Sequence, residues 1–188
     1  MRTEAVDLLK RISSRYGEAL ESVPAVGLRN MAIRGVYERI LVITDSTAKN
    51  LFNKAYCLAK NEENCVRSDG TEYCSIGCGN LGLIDISENS LGLSIAKYGN
   101  NASSIKISGE GLFVSSKDFY LLIKSDLSIA IRLPGKDQLK EMNIDLSDHE
   151  AIIDNNSLIK YVFRKADRII GKMLEAENYC IKQRMIAC

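Results

Sequence analysis

The segment from Leu81 to Leu133 constrains the fold more than any other part of the sequence. It consists of short apolar pieces, each about the length of a strand, separated by pieces rich in glycine, asparagine, aspartate and serine. Antiparallel strands joined by tight turns are typical of this pattern. The segment therefore predicts an antiparallel β-meander of about six short strands.

The same segment indicates which side of the sheet is buried. Residues 127–133 are apolar at every second position, and residues 104–108 show the same alternation. Alternation with a period of two places one apolar face toward a core and leaves the other face polar. Residues 119–123 are apolar at every position, which is typical of a central strand. A sheet with an apolar face needs a second layer, and the helical segments around the meander can supply it.

The first 62 residues are predicted to be mainly helical. Residues 3–22 carry apolar side chains at steps of three and four, with Thr3 as a candidate N-cap. Residues 39–44 are rich in β-branched side chains and fit either a strand or a helix, of which we favour the helix. A clear apolar stripe predicts a further helix over residues 47–61.

Two short helices are predicted after the meander. Asp137 is a candidate N-cap for a helix over residues 138–142. Ser147 and Glu150 have the spacing of a capping box, with Ser147 as the N-cap, so a second short helix is expected to run to about Asp154.

The last predicted helix runs from residue 158 to about residue 185 and has a narrow apolar seam. The members of this seam recur at steps of three and four: Leu158, Val162, Ala166, Ile169, Met173, Ala176 and Cys180. A seam of this width packs on a sheet or on a second copy of the same helix.

The predicted architecture is a single α+β domain over residues 1–188. It comprises N-terminal helices, a central antiparallel meander and a long C-terminal helix that packs on the sheet or at a dimer interface. The predicted boundaries define a helical N-terminal part, a cysteine-bearing loop, the meander and the C-terminal helices: 1–62, 63–80, 81–133 and 134–188.

The composition indicates a soluble globular protein, with 46% hydrophobic residues, 26% charged residues and a formal net charge of +1. No apolar run approaches the roughly 20 residues that cross a membrane. The first residues lack the apolar core of a secretory signal. We therefore predict a cytoplasmic protein without a membrane partner.

Three of the six cysteines, Cys65, Cys74 and Cys78, lie in the polar segment 63–80. Structural zinc needs about four thiolate or imidazole ligands, and no C-x2-C pair is present. The fourth ligand would come from one of four residues: Cys57, Cys180, Cys188 or His149. We favour inert thiols and no cofactor, and the alternatives are a disulfide or a zinc site.

The sequence contains no recognisable catalytic set. His149, the only histidine, falls in the first turn of a predicted short helix between two acidic residues, which is a typical exposed position. Two glycine clusters, Gly77-Cys78-Gly79 and Gly109-Glu110-Gly111, lack the continuation of a phosphate-binding motif. The second cluster lies between two predicted strands and indicates a hairpin turn. We assign no catalytic residues and expect a non-enzymatic protein.

Four cations repeat at every fourth position of the last helix: Lys160, Arg164, Arg168 and Lys172. Residues four apart are offset by about 40° on a helix, so these side chains form one basic stripe. The stripe could follow the phosphates of a nucleic acid, contact an acidic protein partner, or simply be solvated.

Three hypotheses about function remain. We favour a small regulatory or protein-interaction module that binds itself or another protein, with a homo-oligomer formed through the C-terminal helix. The first alternative is a nucleic-acid-binding protein that uses the basic stripe. The second alternative is a metal- or redox-dependent protein centred on Cys65, Cys74 and Cys78.

Overall fold

The structure is an antiparallel sheet with helices before and after it in the chain. The computed structural model describes residues 4–52, 65–68, 71–77, 83–87, 90–95 and 103–183. Two N-terminal helices precede the sheet and a long C-terminal helix follows it. The predicted α+β class is confirmed.

The described residues form four α-helices: α1 (Glu4–Ser22), α2 (Leu28–Ser46), α3 (His149–Asp154) and α4 (Asn156–Gln183). The helical prediction for residues 39–44 is confirmed, since they lie within α2. The helix predicted over 47–61 is a π-helical segment at Thr47–Phe52, and its remainder lies outside the described residues. Every helix in the described part of the chain is too short or too polar to span a membrane.

Each strand of the sheet pairs antiparallel with the next one in the chain, so the spatial order is the chain order. The strands are β1 (Cys65–Ser68), β2 (Thr71–Gly77), β3 (Leu83–Ser87), β4 (Leu91–Ile95), β5 (Ser103–Ser108), β6 (Gly111–Ser116), β7 (Phe119–Ile123), β8 (Ser128–Pro134) and β9 (Leu139–Asp145). The sheet extends beyond segment 81–133, for which about six strands are predicted: β3 to β8 occupy that segment, β1 and β2 precede it and β9 follows it. Five strands, β5 to β9, lie in the continuously described part of the chain, and four more described strands precede them.

The helix predicted over residues 138–142 is wrong, because these residues belong to β9. The chain reverses after Pro134, where the backbone N–H of Gly135 donates to the Gln138 carbonyl at 2.9 Å. β9 then pairs with β8 along its whole length. The hydrogen-bonding edge of β8 decides this conformation, and local sequence periodicity carries no information about that edge.

The predicted loop 63–80 also contains strands. β1 pairs with β2 in a register that sets Cys65 opposite Cys74 and Ser68 opposite Thr71. β1 has only four residues, and β2 mixes polar residues with Tyr73, Cys74 and Ile76, so neither strand shows the clean apolar alternation on which strand prediction depends.

The predicted N-cap of α3, Ser147, is wrong by one residue. Asp148 caps the helix by accepting a hydrogen bond from the backbone N–H of Glu150 at 3.0 Å. The hydroxyl and the backbone N–H of Ser147 instead donate to Asp145 Oδ1, at 2.6 and 2.9 Å. Both bonds favour the carboxylate, and the bond from the hydroxyl has the larger effect. They hold the pKa of the Asp145 carboxyl below its usual value.

The core lies on one face of the sheet. Its strand residues alternate along β5 to β8 and are buried: Ile105, Ile107, Leu112, Val114, Leu121, Ile123, Ile129 and Ile131. α1 and α4 pack on this sheet, and α2 packs against both of these helices. The strands therefore supply one layer of the core and the helices supply the other.

The apolar seam of α4 is part of this core. Val162, Ala166, Ile169, Met173 and Cys180 are each at most 5% exposed. Of the two packing partners that the sequence allowed, the seam therefore uses the sheet of its own chain, and it is not free to dock a second copy.

Two buried tyrosines attach the N-terminal helices to the ends of strands. The hydroxyl of Tyr16 in α1 donates to the Ser128 carbonyl at 3.3 Å, and the hydroxyl of Tyr37 in α2 donates to the Leu146 carbonyl. Burial, reinforced by the negative charge of Asp145, raises the pKa of both phenols above the usual value. Both tyrosines therefore remain neutral donors over the whole physiological range.

Substitution of Gly111 by alanine is expected to destabilise the fold. Gly111 has φ +146°, and a Cβ there would lie 2.2 Å from the Ile123 carbonyl oxygen. Backbone strain and overpacking together should lower the free energy of unfolding by about 2–6 kcal/mol, measured by urea denaturation. Gly109→Ala is the matched control, since a Cβ at Gly109 meets no atom within 4 Å. Equal stability of the two variants would contradict this account of the hairpin.

The buried phenols should make the protein sensitive to alkali. Above pH 10 a tyrosine ionises in the unfolded chain but stays protonated in the fold, so the unfolded state binds fewer protons and stability falls as pH rises. We expect Tyr16→Phe and Tyr37→Phe each to reduce this fall by up to about 1.4 kcal/mol per pH unit. Urea denaturation between pH 8 and pH 12 measures the effect. Parallel curves for the native chain and both variants would contradict it.

Candidate functional site

An open groove of about 460 Å³ lies between α2 and α4. Six residues of α2 form one wall: Leu28, Met31, Ala32, Gly35, Val36 and Arg39. Five residues of α4 form the other wall: Asn156, Ile159, Lys160, Phe163 and Arg164. Both sets recur at steps of three and four, so each wall is a single face of its helix. We call this feature the α2–α4 groove.

The floor of the α2–α4 groove is apolar and buried, whereas its rim on α2 is apolar and exposed. Val36, Ile159 and Phe163 are each at most 4% exposed and belong to the core. Leu28 and Met31 on the α2 rim are 87% and 61% exposed. Large apolar side chains left exposed beside a concave apolar floor are typical of a binding surface.

The outer face of α2 continues beyond the groove as a stripe in which exposed apolar residues alternate with Gly35 and Arg39. Leu28, Met31, Gly35, Arg39 and Val42 lie within about 80° of one another around the helix and span about 21 Å along it. Val42 is 54% exposed. α2 therefore has two apolar faces, since Ile33, Val36, Tyr37 and Ile40 are buried against the other helices.

Gly35 leaves a gap in the middle of the α2 wall. A Cβ at this position would meet no atom within 4 Å, so the chain itself does not require glycine here. A glycine inside a helix costs about 1 kcal/mol relative to alanine. At this position the missing side chain exposes backbone to the groove and lets a bound molecule approach α2 closely.

The charged residues that line the groove are all cations: Arg39, Lys160 and Arg164. Arg39 forms an ion pair with Asp167 of α4, which links the two walls. Lys160 and Arg164 are exposed, and neither pairs with an acidic residue of the described ranges. The α4 side of the groove therefore carries unneutralised positive charge.

The structure divides the predicted basic stripe. Lys160, Arg164, Arg168 and Lys172 are all exposed on α4, but only the first two line the groove. A step of four residues overshoots a helical turn by about 40°, so each successive cation turns further from the groove. Arg168 and Lys172 thus lie on a different side of α4 from the binding wall.

One end of the groove is polar. The side chain of Asn156, at the start of α4, lines the groove, and its buried Nδ2 has no hydrogen-bond partner within the described part of the chain.

Two of the three candidate cysteines of segment 63–80 lie in the described residues. Cys65 and Cys74 face each other across β1 and β2, and Cys78 lies outside the described residues. Cys74 and Cys180 each take part in a disulfide bond, so the prediction of inert thiols is wrong for Cys74. The described residues contain no group of three or more potential ligands placed to hold a metal.

His149 is the first residue of α3 and is exposed, as the sequence predicts. It lies outside the α2–α4 groove. The structure therefore does not bring the only histidine to the binding surface.

Sequence reasoning missed the α2 wall of the groove. The signal was present, because Leu28, Met31 and Val42 fall on a different helical face from Ile33 and Ile40. It is readable only once residues 28–46 are known to be one helix, and the choice between strand and helix for residues 39–44 concealed that continuity.

Among the described residues, the lining of the α2–α4 groove consists of apolar side chains, Asn156 and three cations, with no histidine, cysteine, serine, aspartate or glutamate. It can hold a molecule that combines an apolar face with negative charge. Comparison of the chain with protein-family models, with characterised proteins and with solved structures found no match.

Proposed function

We propose that this chain is a non-enzymatic protein-interaction module of a regulatory kind, and that the α2–α4 groove is its binding surface. One observation carries the proposal: exposed apolar side chains on α2 border a concave apolar floor whose described lining holds no histidine, cysteine or carboxylate. Monomeric proteins rarely leave such a patch exposed without using it for binding.

The available binding energy favours a reversible complex. Complete burial of a leucine, methionine or valine side chain contributes about 1.5–3 kcal/mol, so Leu28, Met31 and Val42 together supply at most about 9 kcal/mol. Association itself costs about 4–15 kcal/mol. Floor contacts and charge must supply the difference, and we expect dissociation constants of micromolar order.

The homo-oligomer that the sequence predicts stays a prediction. The α4 seam on which it depended is buried within the chain. A homodimer through the C-terminal helix would therefore have to use the surface of α4 that the sheet leaves exposed.

The proposal predicts that short peptides can be selected against the groove. A displayed library of random 18-residue peptides is enriched on the full chain and counter-selected on a Gly35→Trp variant, whose indole fills the gap in the α2 wall. We expect peptides that bind the native chain at least tenfold more tightly than Gly35→Trp, measured by fluorescence anisotropy.

Two variants control for folding. Gly17→Trp adds the same side chain to α1, at a glycine where a Cβ also meets no atom within 4 Å, and should leave peptide binding unchanged. Gly35→Ala should raise the free energy of unfolding by up to about 1 kcal/mol, showing that the position tolerates a side chain. If no enriched peptide distinguishes the native chain from Gly35→Trp, the proposed function is wrong.

Nucleic-acid binding is the second candidate, supported by the exposure of all four stripe cations. It predicts that affinity for a labelled 20-nucleotide DNA falls by roughly one log unit per log unit of salt for each phosphate neutralised. Arg168→Glu with Lys172→Glu should then flatten the salt dependence as much as Lys160→Glu with Arg164→Glu. No binding at 20 mM salt would exclude this candidate.

The third candidate is a metal- or redox-dependent protein centred on Cys65, Cys74 and Cys78. The disulfide at Cys74 favours the redox form, because a zinc ligand must be a free thiolate. It also bears on the predicted cytoplasmic location. Stable disulfides are typical of oxidising compartments and of the cytosol of hyperthermophiles. We therefore propose a cytoplasmic location only for a protein of a hyperthermophile.

A further inference from the structure

We propose that the α2–α4 groove binds an amphipathic helix of another protein, one that carries acidic residues along the edge facing α4. This inference rests on the proposed function and specifies the chemistry of the partner. It depends on the shape of the groove, on its charge and on its inability to complement itself.

The shape of the groove fits a helix. Its walls are two helices, and the α2 wall from Leu28 to Arg39 is about 16 Å long, which matches about three turns of a bound helix. Amphipathic helices dock in such grooves through apolar side chains spaced three, four and seven residues apart. The gap at Gly35 allows one turn of the bound helix to approach the α2 backbone, since no atom of the chain occupies it.

The charge of the groove selects an acidic edge. Lys160 and Arg164 are exposed on the α4 wall, are one turn apart and have no acidic partner among the described residues. Two carboxylates four residues apart on a bound helix have the same spacing. Carboxylates along one edge and apolar residues on the adjacent face would therefore meet the cations and the floor together.

A second copy of this chain is a poor occupant. In a symmetric dimer the same patch faces itself. The groove lining has three cations and no acid, so self-association would oppose like charges without a compensating ion pair. A flat membrane surface is also a poor occupant, because it would reach Leu28 and Met31 but not the recessed floor at Val36 and Phe163.

The test uses three synthetic 18-residue helical probes with one common apolar face. Their adjacent edge carries glutamate, glutamine or lysine. Fluorescence anisotropy with the full chain should show the glutamate probe binding about five- to thirtyfold more tightly than the glutamine probe at low salt. The lysine probe should bind most weakly, and the differences should shrink at 0.5 M salt.

Charge reversal supplies the decisive comparison. Lys160→Glu with Arg164→Glu should weaken binding of the glutamate probe about tenfold or more and make the lysine probe the preferred ligand. The matched control is Arg168→Glu with Lys172→Glu, which makes the same charge change on the side of α4 away from the groove. This control should keep the order of the three probes.

The outcomes separate this inference from the proposed function. If all three probes bind equally and Gly35→Trp still abolishes binding, the groove is an interaction site but the acidic-helix inference is wrong. If Gly35→Trp has no effect on any probe, both are wrong. A dimer in sedimentation that Gly35→Trp dissociates, or groove-dependent binding to anionic vesicles without binding to the glutamate probe, would also overturn the inference.

Discussion

Burial of one apolar face of the sheet beneath α1 and α4 is the interaction on which the rest of the structure depends. The inward residues of β5 to β8 and the seam of α4 are almost completely excluded from water. Because apolar burial is the main favourable contribution to folding, this contact determines the rotation of α4 about its own axis. One face of α4 is committed to the sheet, and the cations are left on the outside.

The position of α2 follows from that packing. α2 lies against α1 and α4, and the hydroxyl of Tyr37 attaches it to the end of β9. One of its two apolar faces is used by these contacts. The other, which includes Leu28, Met31 and Val42, has no partner among the described residues. A helix with apolar residues on two sides is usually buried on both, so the outer face of α2 is where a partner is expected.

The electrostatics of the groove follow from helical geometry and one ion pair. A repeat of four residues does not match 3.6 residues per turn, so the row of cations on α4 winds around the helix. Lys160 and Arg164 consequently line the groove, whereas Arg168 and Lys172 do not. The ion pair between Arg39 and Asp167 connects α2 with α4. It also neutralises the charge of Asp167. The uncompensated charge is therefore concentrated on the α4 side.

Sequence patterns predicted the structure correctly where the conformation depends on residues within one strand or helix. Alternation along 104–108 and 127–133 indicated the buried face of the sheet, and the four-residue repeat of cations indicated an exposed stripe. Sequence patterns gave wrong predictions where the conformation depends on hydrogen bonds to another segment of the chain. Residues 138–142 form a strand because β8 offers a hydrogen-bonding edge, and Ser147 does not cap α3 because Asp145 takes its hydroxyl.

The sequence by itself determined the α+β class, the buried seam of α4 and the presence of four exposed cations, because each depends on periodicity within one segment. Only the tertiary structure decided which two cations face apolar surface and that the outer face of α2 completes a groove with them. Those facts depend on the relative rotation of two helices separated by about a hundred residues of chain. That rotation is set by how each helix packs on the sheet, and no local pattern encodes it.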